Sequence, residues 1–325
     1  MKAALCTAFG GPDVIAIVEV PKPVPKPGEV LIRIRATTVS SGDWRVRSAS
    51  MPRGFGLIAR LIYGFGRPRK PLILGTELSG EVEAVGAGVA KFKPGDRVVA
   101  FPGAKFGAHA EYICFKETGA ITLKPANLTF PQAAALSFGG ATALQFLQKA
   151  RLLPGETVLI IGASGAVGSA AVQLARHFGA EVTGIAGPAN QALLVEIGAQ
   201  HSIDYSVTDF ATTGQTWDVI MDTTGTASLV RMREALAPNG RMLLVMTDLA
   251  GNLGALWNNL TSRQKAHAFP ASERAKDLDT LAALARTGTF MPVIDCILPF
   301  SDIRAAHART DSGHKRGSVV LELDP

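Results

Sequence analysis

The stretch TVLIIGASGAVG, residues 157–168, places four consecutive apolar residues directly before glycines at 162, 165 and 168. A short apolar run followed by turn residues is typical of a buried strand. The next residues, GSAAVQLARHFG, have apolar side chains at helical spacing and end at Gly179, where a helix commonly stops. The stretch therefore predicts a strand, a tight glycine turn and an amphipathic helix.

This glycine turn has the chemistry of a dinucleotide site. Gly165 would let the backbone approach a pyrophosphate, and Gly168 would let the helix pack closely on the strand. The free N–H groups and the positive end of the helix dipole would face the phosphates. Ala163 stands where the strict G-x-G-x-x-G pattern has its first glycine, and the alternative is a turn shaped by packing alone. The expected cofactor contacts in the turn are Ser164, Gly165, Ala166, Val167 and Gly168.

The end of the second strand favours NADP over NAD. A site for NAD usually has an Asp or Glu there to bind the ribose 2′-hydroxyl, whereas residues 186–190 are Ala-Gly-Pro-Ala-Asn. No carboxylate would repel a 2′-phosphate, although no Arg replaces it. The candidates to meet the cofactor here are Asn190, Tyr205 and a basic cluster of His314, Lys315 and Arg316. For the basic cluster, the alternative is an ordinary solvated run of charges.

The pattern of apolar residues changes along the chain. The first 120 residues contain short alternating runs such as EVLIRIRA (29–36) and DRVVAF (96–101), which predict a β-rich region. After residue 125 come a predicted helix over 131–150 and then strands at 157–162, 181–186, 201–205, 217–222 and 240–247, with helices between them. Such alternation predicts a doubly wound parallel sheet in an α/β fold. A helix over 272–288 and two further strands follow.

Composition places the chain among globular proteins of two domains. It has 325 residues, 47% hydrophobic residues and 18% charged residues. The formal net charge of +6 is too weak to indicate nucleic-acid binding. The three cysteines are scattered without a CxxC pair, so neither a disulfide framework nor a zinc knuckle is predicted. The N-terminus lacks the apolar core of a signal peptide, and we expect a cytoplasmic location.

Several motifs in a fixed order resemble one family. AEYI, FGGATALQFL, LLPGETVLIIGASGAVGSAAVQLARHFGAEVTGIA, IDY and DTTG follow a β-rich first half. Together they resemble the medium-chain dehydrogenase/reductase superfamily, in particular its zinc-independent, quinone oxidoreductase-like branch. The resemblance implies a GroES-like catalytic domain over 1–124, to which 266–325 return, and a Rossmann nucleotide-binding domain over 125–265. It also implies a nicotinamide cofactor and a homodimer.

The resemblance also predicts that no metal is bound. Metal-dependent relatives have a Cys near the end of an early strand, a Gly-His-Glu motif and a four-Cys loop. Here VSSGDW (39–44) has no Cys, GTELSG (75–80) has Thr76 in the His position, and the cysteines form no cluster. Zinc needs at least three ligands held together, which His109 and Glu77 do not supply on their own.

Without a Lewis acid, hydrogen bonds must polarise the hydride acceptor. The family's V-N-P-x-D stretch corresponds here to V-S-S-G-D, so its Asn is replaced and Ser40 offers a shorter donor. Asp43 is a candidate proton relay, or else a structural partner of Arg47. The resemblance places Thr142 near the nicotinamide. It places three further threonines along the ribose, with strand-end or cap hydrogen bonding as the alternative: Thr223, Thr224 and Thr247.

The segment over 51–70 mixes apolar side chains with five cations and contains no acid. It predicts a lid over an apolar substrate, a patch that contacts a membrane surface, or an insertion that packs on its own domain. We favour the lid or the packed insertion over the membrane patch.

These features predict a zinc-free, NAD(P)H-dependent oxidoreductase that transfers hydride to quinones, enones or other electron-poor apolar carbonyl compounds. Delocalisation of charge in such acceptors suits a site without a metal, whereas alcohol oxidation requires deprotonation of a hydroxyl of high pKa. One alternative is a zinc-free alcohol dehydrogenase. The other is an NADPH-binding regulator or scaffold with little catalysis, suggested by the loss of the polar residues of V-N-P-x-D.

Overall fold

The computed structural model describes residues 1–323, which form two compact units. The first unit contains Met1–Met51, Gly56–Ala141 and the stretch that begins at Ser272. The second unit contains Pro52–Phe55 and Thr142–Ala271. The first unit is therefore built from both ends of the chain, and the second from its middle.

The strands and helices are as follows, in chain order. The strands are β1 (Lys2–Cys6), β2 (Ile15–Glu19), β3 (Glu29–Val39), β4 (Leu72–Ile73), β5 (Leu78–Val85), β6 (Arg97–Ala100), β7 (Tyr112–Lys116), β8 (Ile121–Leu123), β9 (Thr157–Ile161), β10 (Glu181–Ala186), β11 (His201–Asp204), β12 (Trp217–Asp222), β13 (Leu236–Leu244), β14 (Lys265–His267), β15 (Ile294–Pro299) and β16 (Ser318–Glu322). The helices are α1 (Ser41–Ser48), α2 (Gly56–Tyr63), α3 (Phe130–Ala134), α4 (Ser137–Ala150), α5 (Ala166–His177), α6 (Gln191–Glu196), α7 (Leu229–Glu234), α8 (Leu249–Thr261), α9 (Ala275–Arg286) and α10 (Ile303–Asp311). No helix formed by residues 1–323 has both the length and the apolar composition needed to cross a bilayer.

The second unit confirms the predicted doubly wound parallel sheet. Its strand order is β11-β10-β9-β12-β13-β14, and each neighbouring pair is parallel. The central strand β9 is apolar because both of its faces are covered, and Val158, Leu159 and Ile160 are fully buried. The chain order reverses between β9 and β12. In open sheets of this kind, ligands bind at the carboxyl ends of the strands on either side of such a reversal.

The turn after β9 shows the close helix–strand approach that its glycine spacing predicts. A Cβ on Gly168 would lie 2.7 Å from Ala163 Cα, closer than carbon atoms pack. Gly162 has φ of 76°, and a Cβ there would lie 2.7 Å from Thr223 Oγ1. Glycine at both positions lets the first turn of α5 lie directly on the end of β9.

The first unit is built around the long antiparallel strand β3. The strand pairs with β5, β7 and β16, and Val30, Ile32 and Ile34 on one of its faces are buried. The sheet order is β15-β16-β3-β5-β6-β8, and a smaller sheet has the order β2-β1-β4. Strands β15 and β16 come from the C-terminal part of the chain, so they complete a sheet begun near the N-terminus.

Two predicted elements depart most from their expected bounds. The helix expected over 131–150 is divided into α3 and α4, because the buried carboxylate of Glu77 binds the amides of Ser137 and Phe138 and a second helix begins there. The strand expected over 240–247 is β13, which begins at Leu236 and ends at Leu244. Its last residue pairs with Asp222, the last residue of β12.

Candidate active site

The glycine turn presents the first amides of α5 at the carboxyl end of β9. Gly165 is the N-cap residue and has extended backbone, with φ −76° and ψ 174°. The amides of the first helical turn have no partner inside the helix, and Ala166 and Val167 are only half-buried. The helix dipole adds positive potential at the same end. A phosphate group is a ligand suited to such a turn.

The space around Gly165 differs from that around Gly168. A Cβ on Gly165 would meet only the carbonyl oxygen of Gly162, at 3.5 Å, which is an ordinary van der Waals contact. Packing inside the protein therefore explains the glycine at 168 but not the one at 165. The protein itself therefore leaves room for a side chain at 165.

An unsatisfied polar atom lies beside this turn. Asn190 Nδ2 donates a hydrogen bond to Ser164 Oγ at 3.3 Å, while Asn190 Oδ1 is buried and has no partner within residues 1–323. Buried polar atoms nearly always have a partner, so this oxygen is available to a ligand hydroxyl or amide. The hydroxyl oxygen of Tyr205 lies 3.1 Å from the position of a Cβ on Gly187. The structure thus brings Ser164, Asn190 and Tyr205 to the ends of neighbouring strands.

Acidic groups near this strand end are engaged elsewhere. Residues 186–190 contain no carboxylate. Asp204 pairs with Ala186 across β10 and β11, and its Oδ1 accepts hydrogen bonds from the amide and the hydroxyl of Ser206.

Two of the predicted threonines follow β12 and are bound to the strand ends. Thr223 Oγ1 donates to the carbonyl of Ile161 at 2.8 Å, which joins the ends of β9 and β12. Thr224 Oγ1 donates to Asp222 Oδ1 at 2.8 Å. Their hydroxyl protons are used by the protein, as in the strand-end alternative, although their oxygens can still accept.

The other two threonines lie on different elements. Thr247 follows β13 and its hydroxyl packs on the first turn of α8, where a Cβ on Gly251 would overlap it. Thr142 is buried on α4. The cofactor contacts proposed for all four threonines stay predictions.

In the first unit, three polar side chains form a buried chain of hydrogen bonds. Thr76 Oγ1 donates to Ser40 Oγ at 3.1 Å, and Ser40 Oγ donates to Asp43 Oδ2 at 2.6 Å. Asp43 also accepts from the amides of Ser40 and Gly75, each at 2.7 Å. Ser40 caps α1, and its hydroxyl proton is directed at Asp43. Ser40 therefore reaches a ligand only through Thr76 or after its own hydroxyl rotates.

The alternative pairing of Asp43 with Arg47 is wrong. Arg47 is fully buried and forms an ion pair with Asp311 at the end of α10, and it also donates to the carbonyl of Gly10 at 2.6 Å. Asp43 lies in the first turn of α1, where its carboxylate folds back to the N-cap residue and binds Gly75. Its oxygens therefore have their partners without Arg47.

Glu77 is a buried carboxylate whose role the sequence did not reveal. Its Oε2 accepts from the amides of Phe138 at 2.6 Å and Ser137 at 3.0 Å, and its Oε1 accepts from Thr38 Oγ1 at 2.7 Å. Burial raises the pKa of Glu77 from 4.5 to about 7, and the hydrogen bonds from Phe138, Thr38 and Ser137 oppose that rise. The only feature of the sequence that pointed to a buried carboxylate is that Glu77 directly precedes the buried strand β5.

The side chains considered for zinc do not suit a metal site. His109 Nε2 lies 2.9 Å from the carbonyl oxygen of Thr38, and the carboxylate of Glu77 is occupied by three donors. The thiol of Cys6 donates a hydrogen bond to the carbonyl oxygen of Ala8. Within residues 1–323, no group of three or more His, Cys, Asp or Glu side chains is placed to hold a metal ion.

The predicted basic residues Lys315 and Arg316 lie in the first unit, after α10. Lys315 Nζ donates to the carbonyl of Gly317 at 2.6 Å, and burial lowers its pKa to about 8. The amide of Arg316 donates to Asp295 Oδ1 at 2.9 Å. Asp295 also forms an ion pair with Arg309. Their contact with a cofactor phosphate stays a prediction.

Comparison with known proteins finds relatives along the whole chain. Residues 26–125 match the family model described as the alcohol dehydrogenase GroES-like domain, and residues 197–321 match the one described as zinc-binding dehydrogenase. The chloroplast envelope quinone oxidoreductase homolog of Arabidopsis thaliana is 30% identical over 331 residues, which cover 96% of this chain and 95% of that protein. The quinone oxidoreductase of Sus scrofa is 32% identical over 337 residues, covering 98% of this chain and 96% of that protein.

A solved structure is similar at the level of the fold. The quinone oxidoreductase from Coxiella burnetii superposes with a TM-score of 0.87 at 30% identity, over 100% of this chain and 99% of that one.

The buried Glu77 makes stability depend on pH. A glutamate with a raised folded pKa contributes most stability below its unfolded pKa, and this contribution is lost as pH rises through the folded pKa. Glu77→Gln removes this titration while keeping an acceptor for the α4 amides. The free energy of unfolding of the variant, relative to wild type, should therefore rise by about 3 kcal/mol between about pH 4.5 and about pH 7.5. Urea unfolding across this range measures the difference, and parallel profiles for the two proteins would contradict the assignment.

Proposed function

The chain belongs to the medium-chain dehydrogenase/reductase superfamily, in its quinone oxidoreductase-like branch, and we propose that it reduces quinones or enones with NADPH. The observation that carries this proposal is the glycine turn, where α5 begins at the carboxyl end of β9 and where packing inside the protein does not require the glycine at 165. Bound there, the reduced nicotinamide cofactor supplies the hydride. The protein's own residues then bind the phosphates, orient the acceptor and handle the proton.

The residues of the second unit suit a phosphorylated dinucleotide. Ala166 and Val167 offer the amides of the helix N-terminus to the pyrophosphate. Asn190 Oδ1, which lacks a partner, would accept a hydrogen bond from the adenosine ribose. The absence of a carboxylate over 186–190 and the nearby Tyr205 hydroxyl support NADPH over NADH, because an acid there would repel a 2′-phosphate.

The first unit supports reduction of a conjugated carbonyl without zinc. Thr76, Ser40 and Asp43 form a hydrogen-bonded chain that would deliver a proton to a bound oxygen once Asp43 has taken one up from water and the two hydroxyls have reversed. A hydrogen bond from a hydroxyl of this chain would stabilise a delocalised oxyanion, such as that formed from a quinone or enone. Removing a proton from an unactivated alcohol is far harder without a Lewis acid. We therefore propose reduction of an apolar, electron-poor carbonyl compound as the reaction.

An acceptor screen tests the function directly. We expect oxidation of NADPH with benzoquinones and enones, little reaction with simple alcohols and NADP, and no stimulation by added zinc. NADPH should bind at least about tenfold more tightly than NADH, or about 1.4 kcal/mol. Turnover restricted to alcohols and dependent on zinc would overturn the proposed reaction. NADPH binding without turnover of any acceptor would instead support a regulatory role.

The cofactor site is tested by Gly165→Ser. Serine is a good N-cap residue, so the variant should fold with wild-type stability. Its side chain would occupy the space in front of the amides, and NADPH affinity should fall about tenfold or more, equivalent to about 1.4 kcal/mol or more. Fluorescence titration measures the affinity.

The matched control is Gly56→Ser, where a new Cβ would meet no atom within 4 Å. It should bind NADPH as wild type does. Unchanged NADPH affinity in Gly165→Ser would show that the phosphates bind elsewhere.

The hydroxyl chain is tested by Ser40→Ala. This change breaks the path between Thr76 and Asp43, and kcat for quinone reduction should fall about tenfold or more if the chain moves the proton. It also removes an N-cap, at a cost of about 1 kcal/mol. Thr129→Ala removes the equivalent capping box from α3 and separates the two effects, because it should lower stability similarly without changing kcat. Equal kcat in the two variants would limit Ser40 to a structural role.

A further inference from the structure

Helix α2 packs on the first unit through its last residue, Tyr63. Tyr63 packs its ring edge-on against Phe106, with the ring centroids 6.5 Å apart, and joins a small apolar cluster with Leu74. No residue of α2 is fully buried. The helix is therefore held at its end, and its other side is left facing outward.

The outward side of α2 is apolar. Leu57, Ile58, Leu61 and Ile62 are each more than half exposed, as is Phe65 just after the helix. Ile58, Leu61 and Ile62 follow Leu57 by one, four and five residues. In a helix, these spacings place the four side chains on one continuous face. The packed-insertion alternative therefore does not account for this face, since large apolar side chains grouped at a surface mark an interaction site.

Four cations lie on this helix or in the loop after it. Arg60 is exposed on the helix, and Arg67, Arg69 and Lys70 are exposed in the loop that follows. This loop folds back on the helix end, because the amide of Arg69 donates to the carbonyl of Tyr63 at 2.8 Å. Within residues 1–323, none of these four cations forms an ion pair.

The sequence supplies no acid to neutralise this region. There is no Asp or Glu between Asp43 and Glu77. A preformed apolar face with unpaired cations at its edge matches the boundary of an anionic bilayer, where acyl chains lie below charged headgroups.

We propose that the basic apolar segment, residues 56–70, docks the protein on an anionic lipid surface. The side chains of Leu57, Ile58, Leu61 and Ile62 would enter the acyl boundary, and the cations would contact the headgroups. A second copy of this chain is a poorer occupant, because a symmetric contact would bring the two sets of cations together. A partner protein with a helix-binding groove is also a poorer occupant. Such a groove usually holds apolar side chains from three turns of a helix, whereas α2 has only eight residues. This proposal is independent of the reaction proposed above.

Vesicle sedimentation tests the docking. Wild-type protein should bind vesicles of phosphatidylcholine and phosphatidylglycerol, bind pure phosphatidylcholine about tenfold or more weakly, and be released by high salt. Leu57→Ser/Leu61→Ser and, separately, Arg67→Gln/Arg69→Gln/Lys70→Gln should each weaken binding about tenfold or more. Circular dichroism and thermal unfolding establish that each variant is folded.

The controls make the same chemical changes at other surfaces. Leu123→Ser/Leu153→Ser removes two leucines of similar exposure from the end of β8 and from the loop after α4, and Arg233→Gln/Arg263→Gln/Lys116→Gln removes three exposed positive charges. Both controls should bind vesicles as wild type does.

Three results would overturn the proposal. The first is no binding of wild-type protein to anionic vesicles, and the second is an equal loss of binding in the control variants. The third is unchanged vesicle binding in the Leu57→Ser/Leu61→Ser variant, accompanied either by loss of self-association in light scattering or by a raised KM for apolar acceptors. The loss of self-association would assign the face to a second copy, and the raised KM would assign it to a substrate lid.

Discussion

The second unit depends on the direct contact between the end of β9 and the first turn of α5. Gly168 permits this contact because a side chain there would overlap the backbone of Ala163. The contact fixes where the helix begins, and therefore where its unpaired amides and positive dipole end lie relative to the sheet. It also places them next to Thr223, whose hydrogen bond to Ile161 joins the two strands at which the chain order reverses. A packing constraint thereby determines the position of the proposed anion site.

The first unit has its own central constraint, the buried carboxylate of Glu77. An ionised carboxylate in the interior is tolerated only when its oxygens are paired, and here donors from β3 and α4 supply that pairing. The same carboxylate divides the 131–150 region into two helices and leaves Glu77 unable to serve as a free metal ligand. The neighbouring Thr76 belongs to a different network, which runs through Ser40 to Asp43. One pair of adjacent residues therefore contributes to both stability and the candidate chemistry.

The sequence predicted the features that depend on local patterns. The strand, turn and helix around 157–168 were evident from apolar spacing and glycines, and so was the parallel sheet. It did not predict helix α1, although Ser40 and Asp43 have the spacing of a capping box, because Trp44 and Val46 are two residues apart and form no apolar repeat at helical spacing. It also could not decide the partner of Asp43. That choice depends on Gly75 and on Asp311, which are distant in sequence, and such tertiary contacts have no local signal.

The polar groups proposed for catalysis differ from a metal site in one physical respect. A zinc ion would place a fixed positive charge beside the acceptor oxygen, whereas a chain of hydroxyls can only redistribute protons. Ser40 accepts from Thr76 and donates to Asp43, so the chain delivers a proton to a ligand only after Asp43 has taken one up from water and both hydroxyls have reversed their direction of donation. Such a chain gives moderate stabilisation of negative charge, which suffices when the acceptor itself delocalises that charge. The proposed use of hydroxyls in place of metal ligands therefore favours conjugated carbonyl compounds as substrates.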